Sequence, residues 1–267
     1  MTPVTLITGA SSGIGADLAR VFAAHGHELV ITARREAALT ALADEIAASG
    51  RPRPTIVVAD LAARDAVATI AAELAARGFE PQHVVNNAGF GLAGIAASLD
   101  RADQLAMVDV NIRALTDLSL AFVDSLARHR GGILNVASIA GFLPGPGMAV
   151  YYASKAYVIS FSEALSAELA DRGVRVTALC PGPVATGFQA RAGLRPGGIG
   201  EASPLALPAR RVAEIGYAGF MRGQRVVIAG AGNRIAMAFA RLVPHGLLLP
   251  MIERRMRSAG NSPQKAL

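Results

Sequence analysis

The chain of 267 residues contains no tryptophan, a single cysteine and only 5% aromatic residues. One cysteine, Cys180, excludes an internal disulfide and a cysteine-built metal site. It follows the apolar run VRVTAL and precedes PGP, where a small buried residue is expected. The five histidines (25, 27, 83, 129, 245) show no paired helical spacing and no neighbouring carboxylate motif, so no metal is expected. Charge is sparse too, at 17% of residues. The net charge is +6, but the arginines fall in ones and twos, with no basic run and no interleaved aromatics. Such an excess suits an anionic small ligand and argues against a nucleic-acid groove. The N-terminus, MTPVTLITGA, enters a strand-like run at once and lacks the regions of a secretory leader, which reads as a cytoplasmic protein.

What the chain has in quantity is aliphatic. Hydrophobic residues make up 52% of it and mean hydropathy is +0.39, which excludes disorder and allows one large α/β domain with a buried core. VTLIT (4–8), ELVIT (28–32), TIVVA (55–59), HVVN (83–86), ILNVA (133–137), VRVTAL (174–179) and RVVIA (225–229) read as strands. Most are almost continuously apolar, as strands buried on both faces of a parallel sheet should be. Between them ADLARVFAAHG, REAALTALADEIAASG, RDAVATIAAELAARG and SFSEALSAELADRG read as helices that close on glycine. The regular β-α-β-α order predicts a doubly wound parallel sheet in a single domain.

The first strand runs into TGASSGIG, Thr8 to Gly15, and then a helix. Glycines there allow a tight turn and a close approach to a pyrophosphate, which the helix N-terminus favours with free N–H groups and partial positive charge. A second pattern lies in YYASKAYVIS, 151–160. On a helix, Lys155 falls one turn beyond Tyr151, whereas Tyr152 and Tyr157 meet Ala156 and Phe161 at the same offset. Taken alone, that spacing equally describes a solvated surface lysine.

The spacing Gly9, Gly13, Gly15 resembles that of the short-chain dehydrogenase/reductase family, in its short-form branch. NNAG at 86–89, Asn111 in VNIRAL, Ser138 in NVASIAG, YYASK at 151–155 and PGPVAT at 181–186 match the same family in its order, over nearly the whole chain. Relatives that epimerise nucleotide sugars carry a different glycine spacing. The resemblance implies a Rossmann-like sheet of about seven strands, with residues 1–232 as catalytic domain and 233–267 as a C-terminal extension. It also implies an oxidoreductase that moves a hydride between a nicotinamide coenzyme and a carbonyl or secondary alcohol. Tyr151 would be the acid/base and Lys155 its activator, lowering the phenol's pKa toward neutrality and bonding the nicotinamide ribose. Ser138 would hold the substrate oxygen, and Asn111 a water linking Lys155 to solvent.

For the coenzyme, the resemblance assigns Gly9, Ser11, Ser12, Gly13, Ile14 and Gly15 to the pyrophosphate turn and Asp60 and Leu61 to the adenine. Asn87, Ala88 and Gly89 would wall its ribose, and Pro181, Gly182, Val184 and Thr186 would flank the nicotinamide beside Tyr151 and Lys155. NAD-binding relatives carry an acid about twenty residues past the glycines. Here VITARRE places Ala33, Arg34 and Arg35 there instead. A guanidinium can pair with the 2′-phosphate, so NADP(H) is expected over NAD(H), with Arg34, first after the strand, as the main contact. The other reading leaves both as solvated loop arginines.

Phe90, Leu92, Phe142, Leu143, Met148, Phe188 and Leu194, from 89–94, 141–148 and 183–206, are candidate walls of an apolar substrate pocket, or else ordinary core. Two rival functions stand beside the oxidoreductase: a redox-neutral epimerase or isomerase using bound coenzyme, and a non-catalytic nucleotide-sensing protein. A homodimer or homotetramer is implied by the family. The apolar segment IAMAFARLVPHGLLLPMI (235–252) precedes ERRMR; Arg241, His245 and two prolines argue against a spanning helix. It is expected to cap the pocket or meet a second subunit. The alternative is peripheral contact of 235–257 with the anionic inner membrane surface through Arg254, Arg255 and Arg257.

Overall fold

The β-branched runs form a seven-stranded, all-parallel sheet in the computed structural model, which describes residues 1–194, 203–240, 243, 246 and 249–254. The strands are β1 (Thr2–Thr8), β2 (Leu29–Ala33), β3 (Thr55–Val58), β4 (Phe79–Asn86), β5 (Gly132–Val136), β6 (Arg175–Cys180) and β7 (Val226–Ile228). Their order is β3-β2-β1-β4-β5-β6-β7. Chain direction across the sheet therefore reverses between β1 and β4, where strand ends splay and ligands bind in such folds. β4 begins earlier than HVVN implies and includes Pro81, which strands usually reject. A register shift opposite Val4 and Thr5 accommodates it.

Alternating side chains bury both faces. Ile7, Ile31, Val85, Leu134 and Leu179 meet α1 (Gly13–Ala24), α2 (Glu36–Ala48) and α9 (Ala209–Met221). Leu6, Val30, Val84, Ile133 and Val176 meet α3 (Ala66–Ala76), α5 (Leu115–Ala121), α6 (Val123–Arg128) and α7 (Ala149–Glu168). Gly26, Gly50, Gly78 and Gly173, which close the four helices read from sequence, all have φ between +69° and +83°. Left-handed backbone at these positions is where glycine ends a helix at least cost.

The sequence pattern assigns no helix between 87 and 132, yet α4 (Arg101–Val108), a π-turn (Asp109–Ala114), α5 and α6 fill that interval. The π-turn inserts a residue and rotates the buried face, so no single 3.6-residue period runs through the segment. Beyond β7, α10 (Ala231–Ala240) buries Asn233 and Met237 and exposes Ile235 and Phe239. Residues 195–202 of the expected pocket loop, and Arg241, His245, Arg255 and Arg257 of the C-terminal segment, lie outside the described residues. No described helix is long and apolar enough to cross a membrane.

A buried amide ladder fastens the layers where the strands end. Asn86 and Asn135 are register partners, and Asn86 Nδ2 donates to Asn135 Oδ1 at 2.9 Å and to Ser119 Oγ at 3.0 Å. Asn135 Nδ2 donates onward to Ser162 Oγ of α7 at 2.9 Å. All four residues are 2% exposed or less. Removing one member strands the others without water. An Asn135→Ala variant is expected to lose about 2–4 kcal/mol of unfolding free energy, measured by denaturant titration. A loss below about 0.5 kcal/mol would show that the ladder is not a structural fastening.

Candidate active site

The glycine turn is shaped first by the protein around it. Gly9 (φ +65°) would place a Cβ 2.8 Å from Ala88 Cα, and one on Gly15 would fall 2.3 Å from Asn87 Nδ2. Asn87 Nδ2 donates to Thr8 O at 2.9 Å and to Gly9 O at 3.2 Å, while Thr8 Oγ1 accepts from the N–H groups of Asn87 and Ala88, both at 3.0 Å. The turns after β1 and β4 are thus laced across the switch point. Gly13 (φ +57°) faces Thr186, whose Cγ2 would lie 3.2 Å from an added Cβ. Ser12 enters α1 with extended backbone and makes no side-chain cap, and no acid occupies the helix's first turn. The turn keeps the positive end of the helix dipole uncompensated by a carboxylate, which suits a phosphate.

The two arginines after β2 part company. Arg35, not Arg34, reaches the turn: its Nη2 donates to Ser11 O (3.2 Å), Ser11 Oγ (3.1 Å) and Ser12 Oγ (3.0 Å). Arg34 lies 3.8 Å from Asp60 Oδ2, and both side chains are at least half exposed. Asp60 also accepts from the N–H of Ala62 at 3.1 Å, and Leu61 is buried. Arg113, which the sequence did not mark, clamps this loop from the π-turn. It donates to the carbonyls of Leu61, Ala62 and Ala63 while its Nε holds Asp109 at 2.7 Å.

Across the sheet, α7 runs antiparallel to β5 and the turn that follows it. Tyr151, Lys155, Val158 and Ser162 recur at helical spacing on one face. Ser162 meets Asn135, Lys155 Nζ donates to Val136 O at 2.8 Å, and Tyr151 lies near enough to the Ser138 side chain for the hydroxyl to act on its phenol. Ser138 caps the 3₁₀ turn Ile139–Phe142 by accepting from Ala140 N at 3.1 Å. Tyr152 is elsewhere, its ring over Gly145, where no Cβ fits.

Lys155 is 5% exposed, and burial pushes its ammonium down to about 8, with Cys180 nearby opposing the shift. Burial pushes the Tyr151 phenol up to about 12, against the Ser138 hydrogen bond, and Tyr152 adds slightly to the rise. The lowering by Lys155 expected from sequence does not offset this burial; Nζ donates to Val136 O and sits 5.9 Å from the Tyr151 ring centre.

Asn111 is buried in the π-turn, and its side chain is held at both ends. Oδ1 accepts from Phe90 N at 3.1 Å, and Nδ2 donates to Phe90 O and Ser154 Oγ, each at 3.0 Å. Ser154 in turn donates to Tyr151 O at 2.7 Å. The amide therefore braces Gly89–Phe90 against the turn of α7 that carries Tyr151 and Lys155.

After β6, Pro181 O accepts from Ile139 N at 2.9 Å, and Gly182 packs on Asn233, 2.4 Å from where a Cβ would stand. Asn233 Nδ2 donates to Leu205 O and Ala229 O, so α10 is joined to this turn. Buried Gln189 of α8 (Phe188–Arg191) donates to Val184 O at 2.6 Å and accepts from Thr186 N at 3.4 Å. Ser154, Gln189 and Asn233 carry no motif, since they donate to backbone carbonyls, which every residue offers. Of the candidate walls, Met148 and Phe188 gather at Tyr151, around Gly91. Phe142 packs instead with the cluster around Val158 and Ile159.

Comparison with known proteins agrees with this fold. The sulfoacetaldehyde reductase 2 of Chromohalobacter salexigens is 41% identical over 191 residues, spanning 70% of this chain and 75% of that one. A short-chain dehydrogenase from Sphingobium yanoikuyae in complex with NADPH superposes with a TM-score of 0.77 at 31% identity, over 99% of this chain and 98% of that one. The bulky-bulky ketone specific alcohol dehydrogenase of Comamonas testosteroni gives 0.74 at 27% identity, over 100% and 97%. The family profile described as short chain dehydrogenase matches residues 3–195. The chain belongs to the short chain dehydrogenase family and is an oxidoreductase of that type.

Proposed function

We propose that the protein is an NADP(H)-dependent carbonyl reductase in which Tyr151 donates the proton. The observation that carries this reading is the convergence of Tyr151, Ser138 and Lys155 at the strand ends, across the switch point from a basic glycine turn. The residues fit the coenzyme: the α1 N-terminus and the Arg35–Ser11–Ser12 cluster would hold its phosphates, and Lys155 and the 181–186 turn its nicotinamide half. Bound NADPH supplies the hydride that reduces the carbonyl carbon. Ser138 and Tyr151 then donate to the carbonyl oxygen as charge develops there, and the phenol proton passes to it.

A phenol near 12 keeps its proton at neutral pH, so the site is set to act as an acid. An ammonium near 8 is still mostly charged at pH 7 and stabilises the phenolate left behind. Asn111 and Ser154 hold both groups in register.

Coenzyme-fluorescence titration, followed by NADPH consumption over a panel of aldehydes and ketones, tests the reading. NADPH should bind at least tenfold tighter than NADH, about 1.4 kcal/mol. Arg35→Ala should remove more of that preference than Arg34→Ala. Equal affinities would contradict the assignment, and product formation without net NADPH consumption would favour an epimerase.

Lys155 also has a signature in stability. Its folded pKa, about 8, lies below the free value of 10.5, so the unfolded chain binds a proton that the folded one has released between those values. Stability contributed by this group therefore rises with pH across that window. A Lys155→Met variant lacks the term. Its stability advantage over wild type should shrink by roughly 3 kcal/mol between pH 7 and pH 10.5, measured by denaturant unfolding. A difference independent of pH would refute the buried ammonium.

A further inference from the structure

The space beside the Tyr151 ring is already filled on one flank. Gly91 is buried there, and a Cβ on it would stand 2.8 Å from Phe188 Cζ, 3.1 Å from Met148 Cε and 3.1 Å from Tyr151 Cδ2. Four residues thus meet at van der Waals contact, with no room for one more carbon. The Phe188 and Tyr151 ring centres are 5.3 Å apart, tilted by 47°. Met148 closes the junction from beneath and is itself 6% exposed.

Phe188 is fastened from both sides. Its N–H donates to Thr186 Oγ1 at 3.3 Å, and its neighbour Gln189 is tied to Val184 O. On the far side, Ala93 N donates to Ala192 O at 2.8 Å, which draws the end of α8 onto the 90–94 loop. Gly94 N donates to Gly147 O at 2.7 Å and brings in the segment carrying Met148. Three loops are laced around the phenyl ring, so displacing it means breaking backbone bonds as well as rotating a side chain.

A carbonyl positioned for the Tyr151 proton projects its two substituents to either side of the phenol. With one side occupied, only one substituent can be large. We propose that Phe188 is the size-determining residue of the substrate site, restricting the protein to aldehydes and methyl ketones and against ketones with two bulky groups. This rests on the carbonyl-reductase reading and deepens it.

The test compares kcat/KM with NADPH for aldehydes, methyl aryl ketones and diaryl ketones in wild type, Phe188→Leu and Phe188→Ala. Wild type should favour methyl aryl over diaryl ketones by at least a hundredfold. Phe188→Ala should narrow that ratio at least tenfold and Phe188→Leu by less, so the graded pair remains informative if the smaller side chain fails to fold. Wild-type turnover of diaryl ketones at rates equal to methyl ketones would overturn the inference while leaving the reductase reading standing. So would an unchanged ratio in both variants. Turnover of no carbonyl with either coenzyme would overturn the reading and the inference together.

Discussion

The hydrogen bond from Asn135 to Ser162 fixes the rotation and height of α7 against β5, and the chemistry of the site follows from it. Ser162 lies two turns from Lys155 and about three from Tyr151 on one helix face. Once Ser162 is pinned at Asn135, Lys155 arrives at Val136 O and Tyr151 at Ser138, one and then two residues further along the chain. A helix turned by one residue would take the lysine away from Val136 O, its one hydrogen-bond acceptor among the described bonds, and leave a buried ammonium unpaired.

This placement explains why two groups with opposite burial shifts coexist. The same dry environment that raises the phenol lowers the ammonium, so each is nearer its neutral form than in water. Proton loss from Tyr151 and charge on Lys155 then become mutually favourable in a medium of low dielectric, where their attraction is strongest. The glycine turn across the sheet obeys a different constraint. Its first and third glycines yield to Asn87 and Ala88, so the turn is preformed by contacts with β4's extension. Arg35 then adds fixed positive charge at its rim.

Much of this was legible in the sequence. Parallel strands buried on both faces announce themselves as unbroken aliphatic runs, and Gly26, Gly50, Gly78 and Gly173 mark helix ends because only left-handed backbone fits there. The choice of Tyr151 over Tyr152 was readable from helical spacing, and Tyr151 is the one brought to Ser138. Helices between 101 and 128 were hidden, because the π-turn breaks their period. The part played by Arg35 was hidden as well. Consecutive residues leaving a strand point in opposite directions, and the sequence does not say which of the two meets Ser11 and Ser12 and which stands 3.8 Å from Asp60. Bonds from side chain to backbone carbonyl, as at Ser154, Gln189 and Asn233, leave no pattern in sequence, because any residue type can supply the acceptor.

The central claim is that Tyr151, in the register set by Ser162, is the proton donor. Single-turnover reduction of an aldehyde by bound NADPH in wild type, Tyr151→Phe and Tyr152→Phe tests it most directly. Loss of the phenolic proton should slow the Tyr151→Phe variant by about 10²–10⁴-fold, with NADPH affinity retained. Tyr152→Phe, altered at a ring that packs over Gly145, should keep its rate. A slow Tyr152→Phe beside an active Tyr151→Phe would contradict the account.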